Sequence, residues 1–202
     1  MKPTKVLIVC SETNLDLNQY HDYYKIGVER GCLDLIRTFN QIDLVCCDQD
    51  SLQNDELALI TSKAKVVLEI SQVKDYIDGE IAIQEALKLQ PIEIILIAQG
   101  HRFDMQLSCL NFIYRYNVIF INDHTYAYLL QPGMNEVIRK PEYRYFSLFA
   151  LQTAAVTITN LKYNVEDLPL VGLSANAISN EFVSATGNVN VLYGQVVAIY
   201  SK

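Results

Sequence analysis

The sequence predicts two units of different class: an α/β domain with a parallel sheet in residues 1–121 and an all-β domain in residues 122–202. Short Val- and Ile-rich runs alternate with segments of helical period in the first part. From about Asn122 the chain changes to short β-branched and aromatic runs that are separated by turn residues. At 202 residues, the chain is long enough for two small domains that each bury a core.

The first part contains five predicted strands and four predicted helices. The apolar runs at 6–10, 42–46, 66–70, 92–98 and 118–121 are expected to be buried strands. The segments at 27–39, 52–63, 78–90 and 104–116 are expected to be helices, and the third stops at Pro91. Strands that alternate with helices indicate a parallel sheet with helices on its faces.

The second part lacks a convincing long helical pattern. Strands are expected at 126–130, 143–151, 155–161, 181–185, 188–192 and 195–200. Turns are expected at Pro132-Gly133, Gly172, Gly187-Asn188 and Gly194. This pattern favours an antiparallel, jelly-roll-like sandwich.

Composition excludes several functional classes. The formal net charge of −7 disfavours nucleic acid and anionic membranes as partners. No uncharged apolar run approaches the ~18–20 residues needed to cross a bilayer, and the first apolar run is too short for a signal peptide. The five cysteines are odd in number and show no metal-ligand spacing. Reduced thiols are therefore expected, which favours the cytoplasm.

Acidic residues follow three of the predicted strands. Asp48 and Asp50 come after the second strand, Asp75 and Asp78 after the third, and Asp104 after the fourth. In open parallel sheets, ligands bind outside the carboxyl ends of the strands. Carboxylates gathered at that edge repel one another unless a cation lies among them, and Mg²⁺ bound by carboxylates and substrate phosphates is the usual arrangement.

Helix capping is the alternative interpretation of these acids. Asp50 can cap a helix that begins at residue 52, and Asp75 with Asp78 fits a capping arrangement. Asp104 can be a first-turn helix acid. Independent caps need not all gather at the ligand edge, so the shared location favours a site.

A basic loop lies at the same edge. Gly100 precedes a predicted helix, so its loop can offer backbone N–H groups to an anion. Arg102 can donate to two phosphate oxygens at once. His101, between them, is better interpreted as an exposed loop residue than as a base.

At these residues the sequence resembles the thiamine pyrophosphokinase family over nearly its whole length. The matching segments, in the family's order and spacing, are Gly-Val-Glu-Arg-Gly at 27–31, Cys-Asp-Gln-Asp-Ser at 47–51, Asp-Tyr-Ile-Asp at 75–78, Gly-His-Arg-Phe-Asp-Met at 100–105, Tyr-Phe-Ser-Leu at 145–148, Leu-Lys-Tyr at 161–163 and Ile-Ser-Asn-Glu-Phe at 178–182. Departures from the family pattern are Glu29 for Asp, Cys47 for Gly, Gln49 for an aromatic residue, Ile77 for Thr, His101 for Gly and Met105 for His.

The resemblance implies an activity and a set of site residues. Diphosphate would pass from ATP to the thiamine hydroxyl with Mg²⁺, and AMP would leave. Asp48, Asp50 and Asp78 would hold the metal and the triphosphate, as the catalytic carboxylates. Gly100, Arg102 and Glu29 would bind ATP, while Asp104 would either orient Arg102 or contact the nucleophile.

The resemblance also implies a homodimer. Thiamine would lie between the first domain of one subunit and the all-β domain of the other, against Ser179, Asn180 and Asp78. An ordinary turn before a strand is the alternative interpretation of Ser179 and Asn180. Two other functions stay open: a diphosphokinase for a pterin-like alcohol, and a thiamine or nucleotide sensor whose active site has decayed.

Overall fold

The structure, a computed structural model, describes residues 4–47, 53–70, 75–100 and 102–202. By internal contacts the chain forms two compact units. The first runs to Phe112 and takes in Val118–Asp123, and the second comprises Ile113–Asn117 and His124–Lys202. None of the described helices has both the length and the apolar character that crossing a bilayer requires.

The first unit is α/β, as predicted. Its strands are β1 (Lys5–Val9), β2 (Tyr24–Val28), β3 (Ile42–Cys47), β4 (Ala64–Glu69), β5 (Glu93–Ile97) and β6 (Ile119–Ile121). Its helices are α1 (Gly31–Phe39), α2 (Asn54–Lys63), α3 (Asp78–Leu87) and α4 (Phe103–Tyr116), and a 3₁₀ turn spans Asn18–Tyr20. The six strands are parallel in the order β4-β3-β2-β1-β5-β6.

β1 and β5 are neighbours in the interior of this sheet. Val6 aligns with Ile94 and Val9 with Ile97, and all four side chains are buried. A strand that is covered on both faces has no solvent side, which is why these segments are continuous apolar runs rather than alternating ones.

One strand was missed, and the predicted helix at 27–39 is wrong in its first turn. Residues 24–28 form β2, and α1 begins only at Gly31. A Cβ at Gly27 would lie 2.5 Å from the Cys32 sulfur, so the bare glycine lets α1 pack closely on β2. The first residue of α1 passes close to β1, since a Cβ at Gly31 would lie 2.2 Å from the Val9 carbonyl oxygen. Glu29 therefore follows a strand at the carboxyl edge of the sheet.

Two capping alternatives do not hold. The N-cap of α2 is Gln53, whose backbone N–H donates to Glu56 Oε2 at 3.0 Å, so the helix has a cap other than Asp50. The N-cap of α3 is Ile77, and Asp78 is the first helical residue. Asp75 is therefore not the N-cap of this helix.

The strands of the second unit pair antiparallel with one another in two sheet regions, and residues 117–202 contain no helix. Its strands are β7 (Thr125–Leu129), β8 (Gly133–Ile138), β9 (Tyr145–Phe149), β10 (Ala154–Thr159), β11 (Val165–Leu170), β12 (Thr186–Tyr193) and β13 (Val197–Ser201). β13 pairs with β7 and β9, and the other four strands form a sheet in the order β11-β10-β12-β8.

One hydrophobic core joins both sheets of the second unit. It contains Phe146, Leu148, Ala198 and Tyr200 from the first sheet and Val137, Val156, Ile158, Val189 and Val191 from the second. Tyr200 is buried, and its hydroxyl donates to the Ile138 carbonyl at 3.0 Å, which satisfies the polar tip of a large core side chain. The unit therefore has its own core, while its exact jelly-roll description stays a prediction.

Three details of the second unit differ from the prediction. Residues 181–185 are not a strand: the Glu181 carbonyl accepts the Lys162 N–H at 2.9 Å, and the Ala185 carbonyl accepts the Arg139 N–H at 2.8 Å, so this backbone pairs with loops. β8 was missed because Gly133 begins a strand rather than closing a turn. β11 was missed because it contains Pro169, which an edge strand tolerates.

Candidate active site

The first unit contains a cavity of about 430 Å³ at the carboxyl edge of its parallel sheet. Ser11, Glu29 and Gln99 line it, and they follow β1, β2 and β5 respectively. The chain passes outward from β1 to β4 and then returns to β5 on the other side of β1. Loops diverge at such a reversal of strand order, so a crevice forms there, as in other open α/β sheets.

Asp78 and Gly79 bring the start of α3 to this cavity. Both residues line it, and the Asp78 side chain is buried, with 8% of its surface exposed. The N-terminus of a helix carries unpaired N–H groups and partial positive charge, which attract anions. A buried carboxylate beside this helix end suits a metal-bound anion better than a free one, because the cation offsets the repulsion between the two negative groups.

Arg102 reaches the cavity from the loop before α4. Its guanidinium is exposed and binds Asp104, with 3.2 Å from Nε to Oδ1. This hydrogen bond holds the pKa of the Asp104 carboxyl below its usual range. Gly100 has a φ of +142°, a conformation that L residues rarely adopt. The partner of the Asp104 carboxylate is thus the Arg102 guanidinium. His101 lies outside the described residues.

Glu29 lines the cavity from a strained backbone position. Its φ of 46° is left-handed, and its carbonyl accepts the Cys32 N–H at 3.2 Å, which turns the chain from β2 into α1. The following residue, Arg30, binds Glu56 at 3.0 Å and Glu12 at 3.2 Å. This clamp ties the loop after β1 and the start of α2 to the turn that carries Glu29.

The predicted metal set is only partly within the described residues. Asp48 and Asp50 lie outside them, directly after β3. Within the described ranges, no group of three or more His, Cys, Asp or Glu side chains is placed to hold a metal ion. The carboxylate oxygens of Asp78 are nevertheless of the type that Mg²⁺ prefers. The expected convergence of Asp48, Asp50 and Asp78 stays a prediction.

Sequence reasoning missed several residues of the cavity. Ser11, Gln99, Cys10 and Cys109 line it beside the departures Ile77 and Met105. The only sequence signal for Ser11 and Cys10 was their position directly after the first predicted strand. Burial raises the pKa of the Cys109 thiol to about 11, and burial and then the neighbouring Cys109 raise the pKa of Cys10. Both groups are thus neutral thiols near pH 7.

Ser179 and Asn180 lie in the second unit. Asn180 is buried; its Nδ2 donates to the Tyr163 carbonyl at 2.8 Å, and its Oδ1 accepts the Tyr163 N–H at 3.0 Å. Ser179 is exposed, has a φ of 58°, and donates its N–H to Ser147 Oγ at 3.0 Å. The Asn180 amide thus supports the loop at 163, while Ser179 is an exposed residue.

Two family models match the chain. "Thiamin pyrophosphokinase, catalytic domain" matches residues 17–124, and "Thiamin pyrophosphokinase, vitamin B1 binding domain" matches residues 135–195. A curated relative, the thiamine pyrophosphokinase of Bacillus subtilis (strain 168), is 26% identical over 197 residues, which is 92% of each chain.

Solved structures of similar proteins share this fold. A thiamin pyrophosphokinase family protein from Enterococcus faecalis superposes with a TM-score of 0.88 at 24% identity, over 98% of this chain and 99% of the other. The Bacillus subtilis thiamine pyrophosphokinase gives 0.87 at 24% identity over the same shares. Yeast thiamin pyrophosphokinase gives 0.71 at 10% identity, over 100% of this chain and 87% of its own.

Proposed function

Because the chain belongs to the thiamine pyrophosphokinase family, we propose that it transfers a diphosphate group from ATP to the hydroxyl of thiamine. The observation that carries this proposal is the cavity at the carboxyl edge of the parallel sheet, where buried Asp78 and the Arg102 guanidinium both reach one space. A carboxylate for a cation and a guanidinium for phosphate oxygens are the two groups that polyphosphate transfer requires.

Each domain has its own role in this proposal. Residues 1–121 form the catalytic domain, which binds ATP and Mg²⁺, and residues 122–202 bind thiamine. The order of the two matching family models along the chain supports this division.

Arg102 and the Gly100 loop hold phosphate oxygens of ATP, and Glu29 faces the nucleotide from the end of β2. The thiamine hydroxyl oxygen forms a bond to the β-phosphorus, the bond from that phosphorus to the α–β bridging oxygen breaks, AMP leaves, and the hydroxyl proton is released to solvent. Positioning of the two reactants supplies most of the acceleration in this kind of transfer. Asp104 orients Arg102, which the ion pair between them supports.

Asp48, Asp50 and Asp78 are the proposed Mg²⁺ ligands and catalytic carboxylates. The cation would offset the charge of the triphosphate in a protein whose own formal charge is −7. The buried carboxylate of Asp78 in the cavity wall is the described part of this donor set.

Thiamine is proposed to lie against Ser179, Asn180 and Asp78 in a homodimer whose active sites are at the subunit interface. The exposed position of Ser179 supports a direct contact, and the buried Asn180 amide holds the backbone of the neighbouring loop at Tyr163. An acidic surrounding suits the cationic thiazolium ring. The cytoplasmic location stays a prediction that rests on the cysteines.

The test is to incubate the full-length protein with ATP, Mg²⁺ and thiamine and to resolve the nucleotide products. AMP and thiamine diphosphate in equal amounts are expected, with neither formed when EDTA replaces Mg²⁺. ADP in place of AMP would indicate an ordinary kinase and contradict the proposal. Turnover with a pterin-like alcohol but not with thiamine would favour the diphosphokinase alternative. Absence of turnover with either acceptor would favour the sensor whose active site has decayed.

A further inference from the structure

Gln99 connects three segments at the carboxyl edge of the sheet. Its backbone N–H donates to Ser11 Oγ at 2.6 Å. Its side-chain Nε2 donates to Thr13 Oγ1 at 3.0 Å and to Asp123 Oδ1 at 2.8 Å. Its Oε1 accepts the backbone N–H of Asp123 at 3.2 Å. Gln99, just after β5, is therefore bonded both to the loop after β1 and to Asp123, which follows β6.

The partners of Gln99 are themselves fixed to the body of the first unit. The Thr13 N–H donates to Asp34 Oδ2 at 2.8 Å, and Asp34 is buried in α1 and binds Arg37 at 2.6 Å. Asp123 also accepts Asn14 Nδ2 at 3.3 Å. Gln99 is thus bonded to a network that reaches into α1 rather than to isolated surface groups.

The loop that follows Gln99 carries the arginine proposed to bind phosphate. Gly100, the next residue, has a φ of +142°, and a Cβ built there would meet no described atom within 4 Å. The Gly100 carbonyl accepts Gln106 Nε2 at 3.2 Å from an exposed side chain. Gln99 is therefore the last half-buried anchor before the loop, and both it and Arg102 line the same cavity.

We propose that Gln99 is a positioning residue for Gly100 and Arg102, and that it acts on ATP binding by holding the backbone just before Gly100 to Thr13 and Asp123. The inference rests on the proposed role of Arg102 in binding ATP. The amide is required because it supplies two donor hydrogens and one acceptor from the same planar group. A carboxylate of the same shape would present oxygen lone pairs to the Asp123 carboxylate, and the two like charges would repel.

The experiment compares Gln99→Glu, Asp123→Asn and the double variant with the wild type in steady-state kinetics. Gln99→Glu is expected to raise KM for ATP about tenfold, the worth of one or two lost hydrogen bonds, and to change KM for thiamine less than about threefold. In the double variant, the amide introduced at position 123 can donate to the carboxylate introduced at position 99, so KM for ATP should return to within about threefold of wild type. Asp123→Asn alone should be mild, because its Oδ1 still accepts Gln99 Nε2.

Matched controls separate positioning from folding. Gln41→Glu makes the same charge change at an exposed residue before β3, at the opposite end of the strands, and should leave KM for ATP unchanged. Gln99→Met keeps the length without the hydrogen bonds and should resemble Gln99→Glu. A role in folding alone would lower the amount of active protein, and so kcat, at unchanged KM values.

Equal KM values for ATP in Gln99→Glu and wild type would overturn the inference, as would a double variant that is no better than Gln99→Glu. Direct ATP titration by calorimetry repeats the comparison without turnover. Wild-type protein that binds ATP in a Gln99-dependent way but forms no thiamine diphosphate would refute the proposed function and leave this inference standing. Normal thiamine diphosphate formation by the wild type, with an unchanged KM for ATP in Gln99→Glu, would support the proposed function and refute this inference.

Discussion

The Arg102 guanidinium binds the Asp104 carboxylate through two nitrogens, with Nε 3.2 Å from Oδ1 and Nη2 2.5 Å from Oδ2. Both side chains are exposed, so the pair adds little to the stability of the fold. Its effect is to hold the planar guanidinium in one orientation at the cavity. In this structure Asp104 thus pairs with Arg102, whereas the sequence did not choose between that pairing and a contact with the nucleophile.

Arg102→Lys is expected to lower kcat/KM for ATP by about 10–100-fold, because a point charge cannot replace a planar group that donates to two oxygens. Steady-state kinetics with varied ATP measures the effect. Asp104→Asn should cost less, and the double variant should cost no more than Arg102→Lys alone if Asp104 acts only through Arg102. Additive losses would instead assign Asp104 a contact of its own with the reactants.

Asp78→Asn is expected to reduce activity by about 100-fold and to raise the Mg²⁺ concentration needed for half-maximal rate, because it removes charge that faces the metal-bound phosphates. Asp48→Asn and Asp50→Asn should have effects of the same size. The matched control is Asp22→Asn, which makes the same change at an exposed residue before β2, at the opposite end of the strands, and should behave as wild type. Near-normal turnover in the Asp78, Asp48 and Asp50 variants would refute the metal assignment.

Asn180→Ala and Ser179→Ala should affect different properties. Loss of the Asn180 amide leaves the Tyr163 N–H and carbonyl without these partners, so unfolding in urea should show a loss of about 1–3 kcal/mol. Ser179→Ala should leave stability unchanged and raise KM for thiamine, with KM for ATP unaffected. Unchanged kinetics in Ser179→Ala would remove Ser179 from the thiamine site.

Cysteine alkylation should depend on pH in a way that burial dictates. Burial raises the pKa of Cys109 to about 11 and that of Cys46 to about 12, so at pH 8 both are almost entirely neutral thiols. Because the thiolate is the reactive form, iodoacetamide should modify them about 100-fold more slowly in the native protein than in denaturant. The thiolate fraction rises with pH, so the native rate should increase between pH 8 and 10. Peptide mass spectrometry gives each rate, and native labelling at the denatured rate would contradict the burial of these residues.

Much of the fold was predictable because its signals are local. The apolar runs at 6–9 in β1 and 94–97 in β5 are continuous since those strands are buried on both faces. β2 was missed because only Ile26 and Val28 are apolar in a run that also contains Lys25 and Gly27. Such a short pattern does not distinguish a strand from the first turn of the helix that follows it.

The site was predictable where a motif lies in one loop. Asp78 and Arg102, which line the cavity, were singled out because each lies just after a predicted strand or just before a helix, and Glu29 was singled out by resemblance; their roles stay predictions. Ser11 and Gln99 were not found, although both line the same cavity. Nothing near Gln99 in the sequence indicates that its partners are Thr13, 86 residues earlier, and Asp123, 24 residues later.

The sequence by itself determined the class of each half and the resemblance to one enzyme family, because hydrophobic period, turn residues and motif spacing are properties of neighbouring residues. Only the tertiary structure decided that β1 and β5 are adjacent, which brings Ser11, Gln99 and Arg102 to one cavity. Strand order depends on which apolar surfaces pack together across the whole chain. Contacts between distant residues follow from that packing and from no local pattern.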